Sequence, residues 1–261
     1  MASQLESAVC ISLLRESAFC LETRSGPGVA HSSWPRNLYA ATIRRKRSTF
    51  CASWSGARHL DPMSEIALFP LSSVLLPSGR MPLQIFEQRY LDLVARCMRA
   101  EEGFGVVWLL QGSEVSGGAL EVPNIGQVGT YARIVDWDQL PNGLLGITIE
   151  GQQRFDVLSI WREPDGLVKA EVVLTEAPEP TALPDQYSGL ADVLAGLMRH
   201  PQIQRLQYQS DLSDGWRVGT QLVQLLPLEE LIKYQLLALE SLDTLLEELD
   251  HILNQISGED R

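Results

Sequence analysis

The sequence is short of positive charge, of cysteine and of long apolar runs, and each shortage excludes something. Its 21 Lys and Arg face 33 Asp and Glu, a net charge of −12 over 261 residues. Neutralising nucleic-acid phosphates takes clustered Lys and Arg, so the balance argues against a general nucleic-acid binder. The longest stretch without a charged side chain is Ile66 to Gly79, fourteen residues interrupted by Pro70 and Pro77. A membrane-spanning helix needs about 20 predominantly apolar residues, so none is expected. The four cysteines contain no C-x-x-C pair, which argues against a structural zinc site. Three of them (Cys10, Cys20, Cys51) precede residue 62, leaving Cys97 alone in the rest of the chain. A single thiol makes no disulfide framework, and a reducing, cytoplasmic compartment is the expected setting.

The charge that is present is unevenly placed. Residues 1–62 carry eight Lys/Arg and four acids (+4), whereas the remaining 199 residues carry 13 basic and 29 acidic side chains (−16). The first segment shows no sustained period of 2 or 3.6, holds ten serines and includes the turn-forming Ser25-Gly26-Pro27-Gly28. It has no compact apolar core of a secretory signal, and Glu6, Glu16 and Glu22 count against an organelle transit peptide. It is expected to be a disordered or non-native leader, the sharper form of that expectation being a translation start at Met63. Arg44-Arg45-Lys46-Arg47 reads as a solvated charge run rather than a nucleic-acid or targeting patch.

From Ile66 the pattern is apolar and punctuated. Ile66–Leu71, Val74–Pro77 and Leu83–Phe86 are strand-like runs whose prolines push them towards edges or bulges. Glu87 to Arg99 is helical, with Tyr90, Leu91, Val94, Cys97 and Met98 on one face and a stop at Gly103. Phe104–Leu110, Val128–Trp137, Leu145–Glu150, Arg154–Trp161 and Val168–Leu174 read as strands, with turns at Pro141-Asn142-Gly143 and Glu163-Pro164-Asp165-Gly166. Closely spaced short strands predict an antiparallel sheet folded on itself, a barrel or a sandwich. Ala177-Pro178-Glu179-Pro180-Thr181 is a stiff linker. Beyond it, Leu190–Met198, Trp216–Leu226, Leu228–Leu239 and Leu242–Ile256 carry apolar stripes at helical spacing, which predicts a small bundle docked beside the β part.

Catalytic chemistry is hard to find. Beyond residue 62 there are two lysines, Lys169 and Lys233, and neither follows a Gly-rich turn, so no phosphate-cradling loop is written here. Both read as solvated ends of amphipathic elements rather than as the base of a Ser–Lys pair. Cys97 lies on an apolar helix face and reads as a buried small hydrophobe rather than a nucleophile. Glu247 and His251, one helical turn apart with Asp243 and Asp250 nearby, permit a surface metal pair but read as a solvated face. Gly126-x-x-Gly129 reads as a turn. No catalytic residue, metal ligand or cofactor is expected.

The stretch from Leu68 reads LFPLSSVLLPSGRMPLQIFEQRYLDLV. In it Phe69-Pro70-Leu71, Val74-Leu75-Leu76-Pro77, Pro82-Leu83, Ile85-Phe86-Glu87 and Arg89-Tyr90 resemble, in order and spacing, the opening pattern of the N-terminal, substrate-binding domain family of Lon proteases. Gly126 to Trp137, Gly143, the Ile149 to Phe155 segment, and Leu226-Pro227-Leu228 with Lys233 and the Leu242–Leu249 helix resemble its later parts, so the likeness spans essentially all of 63–257. The resemblance implies an α+β fold: a β-rich PUA-like barrel over 63–179, followed by a C-terminal helical bundle over 180–261. It implies a free-standing, non-enzymatic module that binds unfolded or partly folded polypeptides, with an apolar groove between barrel and bundle expected to supply the affinity, linked to proteolysis or protein quality control through a protease or chaperone. The residues that touch polypeptide are not identified by it. The alternatives are a PUA-like RNA-binding protein, made poor by the −16 body, and a structural or regulatory partner of another protein. The Glu87 and Arg89 signature reads as structural, with Glu87 capping the helix or pairing with Arg89, and Trp108, Trp137 and Trp161 are left open between core and surface.

Overall fold

The computed structural model describes residues 63–111 and 123–257; the expected leader, residues 1–62, lies outside them. The strand-like runs form β1 (Met63–Leu71), β2 (Arg80–Ile85), β3 (Phe104–Gln111), β4 (Asn124–Gln139), β5 (Leu145–Arg162) and β6 (Val168–Leu174), with helix α1 (Gln88–Ala100) between β2 and β3. Pairing runs β5–β4–β3–β1–β6 and then back from β6 to β5, so five strands close a ring. β5 is long enough to bind β4 along one edge and to share the other between β2, at Leu145–Glu150, and β6, at Phe155–Arg162. The two runs predicted on either side of Gly151 are this one strand.

One pair departs from the expected antiparallel pattern: β1 and β3 run parallel. A hairpin cannot join parallel neighbours, and the connection carrying β2 and α1 supplies the crossover. The prolines sit where a missing N–H costs least. Pro82 lies on β2, which ends the strand order, and Pro70 lies beyond Leu68, where β1 stops pairing with β6. Val74–Pro77, predicted as a strand, is instead an extended connector between β1 and β2.

Inside the ring Phe155 is fully buried among Leu68, Val107, Val168, Ala170 and Val172. Its ring leaves no room for side chains beside it: a Cβ on Gly129 would lie 2.4 Å from it. Gly126 stands equally close to the Tyr234 ring, at 2.6 Å. Both glycines therefore lie within β4 as points of close approach, and the expected turn is corrected.

α1 lays Tyr90, Leu91, Leu93, Val94 and Cys97 onto the sheet against Phe69, Phe104, Ile147 and Ile149. It ends at Glu101, in the left-handed conformation (φ 58°), two residues before the predicted stop. Gly103 serves a different need, since a Cβ there would meet the Ala132 carbonyl at 2.1 Å. At the other end Glu87 occupies the N-cap without capping through its side chain. Its Oε2 instead accepts from Arg89 Nε at 2.9 Å, while Arg89 Nη1 donates to the Gly166 carbonyl at 2.8 Å. The arginine side chain is only 8% exposed, so its carboxylate partner matters more than in a surface pair. Glu87→Gln is expected to lower the melting temperature by about 2–4 °C, corresponding to about 1 kcal/mol in a domain of this size. A calorimetric scan superimposable on the wild type would contradict the pairing role.

The helical half comprises α2 (Ser188–Leu197), α3 (Pro201–Arg205), α4 (Gly215–Leu225), α5 (Glu230–Leu237) and α6 (Leu242–Ser257). Leu194, Val218, Leu222, Val223, Leu246 and Leu249 are its buried centre. No helix among the described residues is long and apolar enough to cross a membrane. The connector 72–80 ties the halves together. Val74 N donates to Glu230 Oε2 (2.6 Å), Leu76 N to Gln224 Oε1 (2.9 Å), and Arg80 Nη1 to the Leu206 carbonyl (2.8 Å). On the barrel side the Leu75 carbonyl accepts from Thr130 Oγ1 at 2.6 Å.

Candidate functional site

Two cavities of similar size differ in character. One, of about 570 Å³, lies at the junction of barrel and bundle and carries Glu150, Arg154, Glu176, Asp214, Arg217 and Glu240 on its walls. Arg154 is engaged there, donating through Nη1 to the carbonyls of Leu237 (3.1 Å) and Leu239 (2.7 Å) beyond the end of α5. Arg80 holds Glu150 at 2.6 Å in the same wall. Leu76, Trp216, Leu236, Leu237 and Leu245 line this cleft as well, so between the two halves apolar and charged walls are mixed.

The other cavity, of about 540 Å³, is the apolar one and opens on the barrel itself. Its floor is built from the ends of β1, β2 and α1. The rings of Phe69 and Tyr90 stack at 3.9 Å between centroids, with Met81 and Ile85 also buried in the floor. Leu83, Trp137 and Leu140 form walls, and Phe86 stands at the mouth with 49% of its surface in water. A single exposed apolar side chain is ordinary, but Phe86 is continuous with the apolar groove and enlarges it into a patch. The rim carries Glu87, Asp136, Asp138 and Glu230, and among the described residues no Lys, Arg or His lines it. Glu87 is held by Arg89 and Glu230 by Lys233 (Oε1 to Nζ, 3.1 Å); Asp136 and Asp138, exposed near the end of β4, accept from the main-chain N–H of Trp137 and of Gln139, each at 2.9 Å.

The residues weighed individually for chemistry fall elsewhere. Cys97 is buried, and desolvation pushes its thiol up to about 12, which keeps it protonated and unreactive at neutral pH. Lys169 is half-buried on β6 between Glu65 (2.8 Å) and Glu163 (3.4 Å), and the hydrogen bond to Glu65 raises its pKa. Glu163 is held below its usual range, first by the Trp161 indole N–H and then by Lys169. Asp243, Glu247, Asp250 and His251 are exposed on α6. Lys233 requires correction: it is 2% exposed, not a solvated end. α5 packs against barrel and bundle at once, with Tyr234 against Trp108 (5.2 Å) and Leu236 and Leu237 in the helical core, so the face that looked polar is an internal one. Of the tryptophans, Trp108 packs under Tyr234, Trp161 donates to Glu163 at the β5–β6 turn, and Trp137 lines the groove.

Residue-by-residue reasoning missed the groove because its parts are far apart in sequence and none is reactive. One signal was present: the stretch that carries the family resemblance, Phe69 through Tyr90, supplies the floor and the mouth. Much of the chain is similar to known proteins. Residues 65–255 match the family described as the ATP-dependent protease La (LON) substrate-binding domain. A Lon N-terminal domain protein from Xanthomonas campestris, known as a crystal structure, is 35% identical with a TM-score of 0.56, the match covering 71% of this chain and 96% of that one. The N-terminal domain of a Mycobacterium avium complex Lon protease is 15% identical, with a TM-score of 0.46 and the same two coverages, 71% and 96%. A Lon protease from Anaeromyxobacter dehalogenans (strain 2CP-C) is 30% identical over 117 residues, 44% of this chain but only 13% of that protein's length.

Proposed function

This chain belongs to the ATP-dependent protease La (LON) substrate-binding domain family, and from that premise we propose that it is a non-catalytic module that recognises unfolded or partly folded polypeptides and links them to proteolysis. The observation that carries the reading is the apolar groove with Phe86 half-exposed at its mouth, built from the residues that mark the family. Such a surface gains from water-exposed apolar side chains, which unfolded chains offer and folded ones hide. The matched domain is a substrate-binding one, not a catalytic one, and the only described cysteine is buried and protonated at neutral pH. A protease or chaperone is the partner this role requires, and a reducing, cytoplasmic setting suits Cys97, which is a free thiol.

The test is binding of the full chain to one model protein in its denatured and its folded form, measured by interferometry. Binding to the denatured form alone is the expected result. Phe86→Ser is expected to weaken it about tenfold, or about 1.4 kcal/mol, which is about half of a full aromatic burial because half of Phe86 is already covered. Equal affinity for both forms, or none for either, would overturn the reading.

A further inference from the structure

The outer edge of β2 has a definite polarity. Arg80 N donates to Tyr208 Oη at 2.9 Å, and the Arg80 carbonyl accepts from the same hydroxyl at 3.2 Å. Both main-chain groups of Arg80 therefore point away from β5. Main-chain direction alternates along a strand, so Pro82 and Gln84 share the outward direction while Met81, Leu83 and Ile85 bond to β5. Pro82 agrees independently, because a residue without an N–H belongs on the open side. Among the described residues no strand pairs with that side. It offers the carbonyl of Pro82 and both main-chain groups of Gln84, directly beside the apolar groove that Pro82, Leu83, Gln84 and Phe86 line.

An open edge is usually blunted against chance pairing. Here Tyr208 and Pro82 blunt the first half only. Charge selects what fits the second half. Among the described residues four carboxylates and no cation line the groove; Arg89 and Lys233 balance Glu87 and Glu230 from behind, and Asp136 and Asp138 are exposed, in a body of net charge −16 over residues 63–261.

We propose that an extended peptide segment with apolar residues flanked by Arg or Lys adds as a strand to the outer edge of β2, its main chain bonding at Gln84 and Pro82 and its basic side chains meeting Asp136 and Asp138. This deepens the polypeptide-binding reading and rests on it. Main-chain pairing supplies affinity independent of sequence, the groove takes alternate apolar side chains, and the carboxylates set the charge of the flanks.

Fluorescence anisotropy with the full chain tests it on labelled synthetic peptides sharing one apolar core. The Arg-flanked peptide is expected to bind about tenfold tighter than the Glu-flanked one at low salt, as about 1.4 kcal/mol of rim electrostatics implies. Asp136→Asn with Asp138→Asn is expected to bring the two within about twofold, leaving apolar binding in place. N-methylation of alternate peptide amides is expected to abolish binding in one register only, and hydrogen exchange at the Gln84 amide is expected to slow at saturation. Equal affinities for Arg and Glu flanks, or an unchanged Gln84 amide, would overturn the proposal. Protection of that amide in the unliganded chain would also overturn it, the edge then being taken by a second copy or by this chain's own residues 1–62. Binding of denatured protein that survives these results leaves the broader reading standing; its loss removes both.

Discussion

Gly151→Val is expected to lower the melting temperature by about 6–12 °C, the counterpart of about 3 kcal/mol or more in a domain of this size. Gly151 is buried on β5 where the connector 72–80 crosses it. Ser78 N donates to the Gly151 carbonyl at 2.8 Å and Gly151 N donates to the Gly79 carbonyl at 2.9 Å. A Cβ at this position would sit 2.2 Å from the Leu76 carbonyl oxygen and 2.9 Å from Thr130 Cγ2. The nearer obstacle is backbone, so no rotamer change relieves it. The connector must move, and it holds Val74 N on Glu230 and Leu76 N on Gln224, so the barrel and the bundle loosen together. A second measurement separates this mechanism from general damage: limited proteolysis should cut the variant first between the halves, within residues 175–184. A melting curve within 1–2 °C of wild type would mean the connector can shift at little cost.

Periodicity made α1, α4, α5, α6 and most strands readable, because each buries one face and the pattern of that face is local. What periodicity could not supply was the partner of each face. Gly126 and Gly129 looked like turn residues since nothing nearby in sequence says that Tyr234 and Phe155 will press against them. Val74–Pro77 looked like a strand because it is as apolar as one; its N–H groups bond to Glu230 and Gln224, more than 140 residues away. The site was legible only as a family likeness. Phe69, Met81, Ile85, Phe86 and Tyr90 are ordinary apolar residues one by one, and they form one surface only once β1, β2 and α1 bring them to one opening. Asp136 and Asp138 carry no signal of their own in the sequence; they line the opening because they lie near the end of β4.

Glu230→Gln is expected to cost about 3 kcal/mol, a fall of about 6–12 °C, while Lys233→Met costs about 1 kcal/mol or less. The two residues form one ion pair at 3.1 Å, yet their burial is unequal: the lysine side chain is 2% exposed and the glutamate 26%. Removing the carboxylate's charge strands a buried ammonium, whereas removing the ammonium leaves a carboxylate that reaches water and still accepts from Val74 N at 2.6 Å. Glutamine can keep that bond to Val74, so the difference between the variants isolates the stranded charge from the loss of the connector's anchor. The double variant should recover most of what Glu230→Gln loses, because methionine fills the lysine's volume without needing a counter-charge. Chemical denaturation of the wild type, the two single variants and the double variant at pH 7 gives every term. Equal losses for the two single variants would show that Lys233 is not held by Glu230.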